Sequence, residues 1–203
     1  KAALIGFPSI EDAGKCVTEI IAKGIIPAGM EIMDKALTKA TNDFSKAGYP
    51  MDAEAMMIVE LDGTESEVSE LIKRVEEIAK ENKCSSVKRS KSDEERLKFW
   101  AGRKAAFPAC AELAPDYMCM DGSIPRGKLA EVLKEIQKLS VKYNLPVANA
   151  FHAGDGNLHP LIMFDANDPD QLRRTEEFGA EILKYCVKVG GALTGEHGVG
   201  IEK

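Results

Sequence analysis

The clearest helical periodicity runs from Thr64 to Ala79. Thr64 and Glu67 form a capping-box pattern, and Val68, Leu71, Ile72, Val75, Ile78 and Ala79 fall on one side, with Glu and Lys on the other. Before it, Ala2 to Phe7 is a short apolar run stopped by Pro8-Ser9, which predicts a strand. Ser9 and Asp12 resemble a second capping box, and Ala13, Val17, Ile20 and Ile21 follow at helical spacing until Gly24. The spacing of Ile32, Met33, Ala36, Leu37 and Ala40 predicts a helix from Met30 to Lys46, and Ala55 to Leu61 has the length and composition of a strand.

After the central helix, Ser86 to Ser90 predicts a short strand, and Ser92-Asp93-Glu94-Glu95 opens a helix running through Leu97, Trp100 and Arg103 to Pro108. Tyr117 to Met120 predicts a strand, and Pro125 to Tyr143 a helix with Leu129, Val132, Leu133, Ile136 and Leu139 in register. Two apolar runs, Val147 to Phe151 and Leu158 to Phe164, flank the turn Asp155-Gly156. Asp168-Pro169 starts a helix that Gly190-Gly191 stops, and Ala192 to Thr194 predicts a last strand. A similar strand-helix-strand pattern in both halves predicts an α+β fold of duplicated ferredoxin-like halves, with a largely antiparallel sheet and helices packed on one face.

Composition narrows the function classes. The 203 residues carry a net charge of -6 spread through mixed-sign helices, without the basic patch that nucleic acid requires. No apolar run approaches the ~18 residues of a transmembrane helix, and no leader pattern precedes the first strand. Five cysteines without a Cys-x-x-Cys pair read as free thiols of a reducing compartment, which predicts a cytoplasmic protein. The apolar start at Lys1 and the stop just past a glycine-rich motif predict a piece of a longer chain.

All three histidines lie in two glycine-rich segments, residues 150–160 and 194–200. A two-residue turn at Asp155-Gly156 pairs His152 with His159, and directly opposed side chains on a hairpin stand roughly 5 Å apart at Cβ. That spacing suits two imidazoles sharing a metal ion, although paired histidines around an Asp-Gly turn also occur as ordinary hairpin chemistry. Glu196 is a third candidate ligand. In an extended Glu196-His197 the side chains diverge, which leaves His197 free as a proton acceptor. Arg103, one turn after Phe99 and Trp100, reads as a carboxylate clamp or as a solvated helix arginine. Two histidines and a carboxylate accept zinc, ferrous iron or manganese. A metal-dependent hydrolase and a non-catalytic subunit-docking module are the competing readings.

Phe-His-Ala-Gly-Asp-Gly-Asn-Leu-His-Pro at 151–160, Gly-Glu-His-Gly-Val-Gly at 195–200 and Trp-Ala-Gly-Arg-Lys at 100–104 resemble the C-terminal domain of FAD-linked oxidases of the vanillyl-alcohol-oxidase superfamily. The wording from Arg103 to Pro108, at Pro115-Asp116-Tyr117 and at Met120-Asp121-Gly122 is most like its glycolate oxidase and D-lactate dehydrogenase branch. The resemblance covers essentially the whole chain and implies a flavin-dependent D-2-hydroxyacid dehydrogenase. It implies His152, His159 and Glu196 as metal ligands, His197 as general base, Arg103 as clamp on the substrate carboxylate, and Asn157 as a contact near substrate and flavin. FAD would be bound mainly by a preceding N-terminal domain. Iron-sulfur and second flavin-like subunits are the implied partners, and through them a peripheral place at the inner membrane face. Dicarboxylate-using relatives tend to carry a hydroxyl residue one turn after the clamp arginine, where this chain has Phe107, which implies a smaller or apolar substrate such as glycolate or D-lactate.

Overall fold

The computed structural model describes residues 1–201 and 203. Its first half contains β1 (Ala2–Phe7), α1 (Ile10–Ala22), β2 (Gly29–Asp34), α2 (Lys35–Ser45), β3 (Ala55–Glu60), α3 (Glu65–Glu81) and β4 (Ser86–Arg89). Helices α4 (Asp93–Lys104) and α5 (Ala106–Ala109) connect the halves. The second half contains β5 (Asp116–Cys119), β6 (Gly122–Ser123), α6 (Leu129–Tyr143), β7 (Val147–His152), β8 (Asn157–Phe164) and α7 (Pro169–Lys188).

The strands form one sheet in the order β4-β1-β3-β2-β7-β8-β5, with β6 also paired to β8, and every pairing is antiparallel. The first half has the ferredoxin-like strand order. The second repeats it, with β5 and β6 as an interrupted first strand and a single bridge from Ser123 to Ala192 at its edge. The two halves join through β2 and β7, whose register sets Glu31 opposite His152 and Ile32 opposite Phe151. The α+β class and the duplicated antiparallel sheet follow the expectation.

Side chains alternate across the sheet. Ala3, Ile5 and Phe7 of β1, with Ile32 and Phe151, pack against apolar residues of α1, α3, α6 and α7 in the larger core layer. This is the helical face expected from the sequence. Ala2, Leu4, Met33 and Leu161 point the other way, under Leu37, Phe99, Ala106 and Cys110. The opposite face therefore carries a smaller layer of α2, α4 and α5.

Three local expectations change. The helix expected from Met30 begins only at Lys35, because residues 29–34 are the central strand β2 and Asp34 caps α2 by accepting from Leu37 N at 3.0 Å. A strand buried on both faces shows a continuous apolar run that also satisfies helical spacing. Burial pushes the Asp34 carboxyl up to about 6, and its other oxygen accepts from Asn149 Nδ2 at 2.8 Å.

The strand expected at Ala192 to Thr194 reduces to that one bridge, since the following backbone amides bond to a side chain instead of a neighbouring strand.

The hairpin loop has four residues rather than two. His152 pairs with Asn157 and Ala150 with His159, because the His152 carbonyl accepts from both Asp155 N and Gly156 N. Gly156 has φ +77°, and a Cβ there would lie 2.2 Å from the Ile124 oxygen, so glycine is required. Ties from the loop to Met30 and Ile124 hold this register.

Candidate active site on the sheet

The shifted register keeps the two histidines on one face as diagonal neighbours, with ring centroids 5.1 Å apart. That face carries a row of polar side chains from adjacent strands. Glu31 on β2 is directly opposite His152 on β7, and His152 is opposite Asn157 on β8. Cys119 pairs with Leu161 and Gly122 with Leu158, so the register runs on unchanged through Asp121, which faces His159. The ladder is interrupted there, where Pro160 has no N–H to donate.

Glu196 Oε1 comes within 3.1 Å of His159 Nε2 and 3.6 Å of His152 Nε2. The His197 ring stacks on His159 at 4.9 Å, and its Nε2 lies 3.7 Å from the same Glu196 oxygen. The structure thus gathers all three histidines and Glu196. It also corrects the expectation that Glu196 and His197 diverge: the segment is a bend, not extended strand, and both side chains reach the same spot.

Arg103 is buried, with Nε donating to Glu31 Oε2 at 3.0 Å. Its Nη2 is 3.0 Å from the same oxygen but out of hydrogen-bond alignment, which leaves that nitrogen without a partner. The neighbouring aromatics do other work: Trp100 Nε1 donates to Glu60, and the Phe99 carbonyl accepts from Tyr49 OH at 2.5 Å. Asn157 is buried with Oδ1 unpaired, and a Cβ on Gly195 would come within 2.3 Å of that oxygen. Glycine at 195 is what lets this loop lie against β8.

Two site residues were missed from sequence. Glu31 joins His152 to Arg103, its Oε1 lying 2.7 Å from His152 Nδ1. It was hidden because its segment was read as helix. Asp121 is 0% exposed and collects donors from Thr194, Gly195, Glu196, His197 and Lys203. The Met120-Asp121-Gly122 run was noticed, but nothing in it shows a side chain bound to backbone amides far along the chain.

These contacts set the protonation of the site. The hydrogen bond to Glu31 holds the His152 pKa above its ordinary value, against burial. Burial drives His159 down to about 4, and the neighbouring His152 adds to this, so its ring is neutral near pH 7. Burial pushes the Asp121 carboxyl up, but its hydrogen bonds outweigh that and hold it well below the usual carboxylate range.

The donor set fits a divalent metal. One ligand atom each from His152, His159 and Glu196 lies within 4.8 Å of the others, and both ring nitrogens of buried His159 lack a hydrogen-bond partner. Of these, Nε2 faces the Glu196 carboxylate at 3.1 Å without a hydrogen bond, as a metal-ligand nitrogen would. Asp121, His159 and His197 also cluster within that distance, but the Asp121 oxygens are already occupied by donors. Among fixed charges, Glu31, Asp121 and Glu196 against Arg103 and Lys203 leave one net negative charge, which a dication would turn to one positive. A cavity of about 780 Å³ lies elsewhere, lined by Ser9, Asp34, Leu133, Val141 and Asn149.

The whole chain, residues 1–203, matches the family described as FAD linked oxidases, C-terminal domain. It is 53% identical over 203 residues to the glycolate oxidase subunit GlcD of Escherichia coli K12, covering 100% of this chain and 41% of that protein. It is 28% identical over 204 residues to a probable mitochondrial D-lactate dehydrogenase of Danio rerio, covering 100% of this chain and 41% of the relative. Among solved structures, p-cresol methylhydroxylase with substrate bound superposes at TM-score 0.68 with 15% identity, covering 95% of this chain and 44% of that one, a likeness of fold. The chain thus spans less than half the length of these relatives. By its full-length family match and its duplicated antiparallel sheet, the chain belongs to the FAD-linked oxidase C-terminal domain family.

Proposed function

We propose that this chain is the substrate-binding and proton-accepting domain of a flavin-dependent 2-hydroxyacid dehydrogenase that converts glycolate or D-lactate to the 2-oxo acid. The observation that carries this reading is the convergence of His152, His159 and Glu196 on one ligand sphere, with His197 stacked on His159 and Arg103 tied to His152 through Glu31. Relatives named for glycolate and D-lactate oxidation support it.

In this reading His152, His159 and Glu196 hold zinc, ferrous iron or manganese. A metal held there would supply Lewis-acid binding of the substrate hydroxyl and carboxylate, and FAD, held mainly by a preceding domain, would supply the hydride acceptor for Cα. Arg103, whose Nη2 makes no aligned hydrogen bond to Glu31, offers that nitrogen to the substrate carboxylate. His197 takes the hydroxyl proton on a ring nitrogen. Asn157 Oδ1 remains for a polar contact near substrate and flavin. The positive charge left by a bound dication is neutralised by a substrate with one carboxylate. Phe107, 6.1 Å from His159, presents an apolar ring where a second carboxylate would need a partner.

A relative named as a subunit fits a multi-subunit enzyme, and iron-sulfur and second flavin-like subunits are the partners we propose. Among the described residues no helix is long and apolar enough to cross a membrane, so contact with the inner membrane face would run through those partners.

The test uses the full-length, FAD-loaded protein. Anaerobic mixing with glycolate or D-lactate is expected to bleach the flavin, and His197→Ala to slow bleaching by about a hundredfold or more with metal retained. A wild-type flavin that no 2-hydroxy acid bleaches rejects the reading.

A further inference from the structure

We propose that Asp121 is the positioning residue of this site: its carboxylate is the template on which residues 194–197 fold, and through their backbone it aims Glu196 and His197. This rests on the reading of the site as a hydroxyacid-oxidising centre.

Asp121 sits on the sheet directly across from His159, with Oδ1 3.6 Å from His159 Nε2. Its Oδ2 accepts from Thr194 Oγ1 at 2.5 Å, Gly195 N at 3.0 Å, Glu196 N at 3.1 Å and His197 N at 2.8 Å, and its Oδ1 from Glu196 N at 3.1 Å. Lys203 Nζ approaches Oδ2 at 3.3 Å and the Asp121 carbonyl at 2.9 Å. Every group facing this carboxylate from the loop is a donor, so only an ionised carboxylate satisfies them together. Three consecutive amides turned to one anion form a backbone nest. Thr194 Oγ1 closes the bend by accepting from Gly198 N at 2.9 Å.

Among the described residues the loop has no other comparable contact with the protein. Its strand pairing ends at the single Ala192 bridge, and the Glu196 side chain is 51% exposed. His152, His159 and Arg103 are held by β7, β8 and α4 without Asp121. Loss of the carboxylate should therefore release the base and one ligand, leaving substrate capture by the clamp largely intact. Displacement of a catalytic group by about 1 Å costs on the order of a hundredfold in rate.

The experiment compares wild-type, Asp121→Asn and Thr194→Val full-length protein, FAD-loaded and supplied with saturating divalent metal. In Asp121→Asn the amides of residues 194–198 should exchange hydrogen about tenfold faster or more, while residues 147–164 exchange as in wild type. Flavin reduction should slow about a hundredfold, with KM for the 2-hydroxy acid within about threefold of wild type. A merely structural role would raise exchange throughout the sheet and leave kcat per folded molecule unchanged. Unchanged exchange of the loop, or folded Asp121→Asn protein reducing flavin within about threefold of wild type, overturns the proposal. If Asp121→Asn does not fold, Thr194→Val decides: it should slow reduction about tenfold, with Thr194→Ser restoring it, and equal rates in the two variants overturn the proposal. If wild type oxidises no 2-hydroxy acid, the functional reading fails, and exchange of the loop alone then decides whether Asp121 holds it.

Discussion

Glu31 and His152 face each other across the seam between the two halves of the sheet, with the carboxylate oxygen 2.7 Å from Nδ1. The bond leaves Nε2 of His152 directed at Glu196 and fixes which nitrogen is free to bind. Glu31→Gln should weaken metal binding by the full-length protein about tenfold to a hundredfold. Competition against a chromogenic chelator measures this, and unchanged affinity would show that Glu31 serves Arg103 alone.

His152→Ala removes one of the three converging ligands. Elemental analysis of full-length protein should find close to one divalent metal per chain in wild type and a large loss in the variant. Equal metal content in both would place any ion elsewhere.

Gly195→Ala drives a methyl against the amide of buried Asn157. The expected cost is about 1–3 kcal/mol if β8 gives way. If the loop lifts instead, stability stays near wild type and flavin reduction falls. Urea denaturation and stopped-flow reduction of the same preparation separate the two.

Asp34 makes stability depend on pH. Its carboxyl titrates near 6 in the folded chain and near 3.9 when unfolded, so the folded state binds the extra proton between those values. Stability from this group is present below about pH 4, is lost as pH rises through about 6, and stays lost above it. The full effect is at most about 3 kcal/mol. Asp34→Asn keeps the cap on Leu37, and the Asn149 amide, whose Oδ1 is unpaired, can turn to accept from it. The variant should lose the fall between pH 4 and 6, measured by urea midpoints, and an unchanged slope would assign it to another group.

Most of the architecture was legible because the N-cap at Ser9, the capping box at Thr64 and the apolar stripes at residues 9–21 and 64–79 report local physics that tertiary packing reinforces. Residues 29–34 were misread because a strand covered on both faces carries no alternation. The histidine motifs announced the site, yet the pairing of His152 with Asn157 was set by ties to Met30 and Ile124, which no local pattern records. Glu31 and Asp121 were illegible for a related reason. One acts across a strand pairing and the other on amides more than seventy positions away, so neither belongs to a motif that spacing can reveal.

The duplication described for the sheet is unequal in what it carries. In the first half β1 runs unbroken from Ala2 to Phe7, whereas its counterpart in the second half stops at Cys119, resumes at Gly122 and holds Asp121 in the gap. One half thus serves as frame and the other carries most of the candidate site, and the first reaches that site through Glu31 at their shared border. Substitutions should accumulate freely in the frame so long as its packing survives, while the second copy tolerates few, and grafting its last two strands and closing loop onto another ferredoxin-like pair would succeed only if that frame supplied a carboxylate at the same rung.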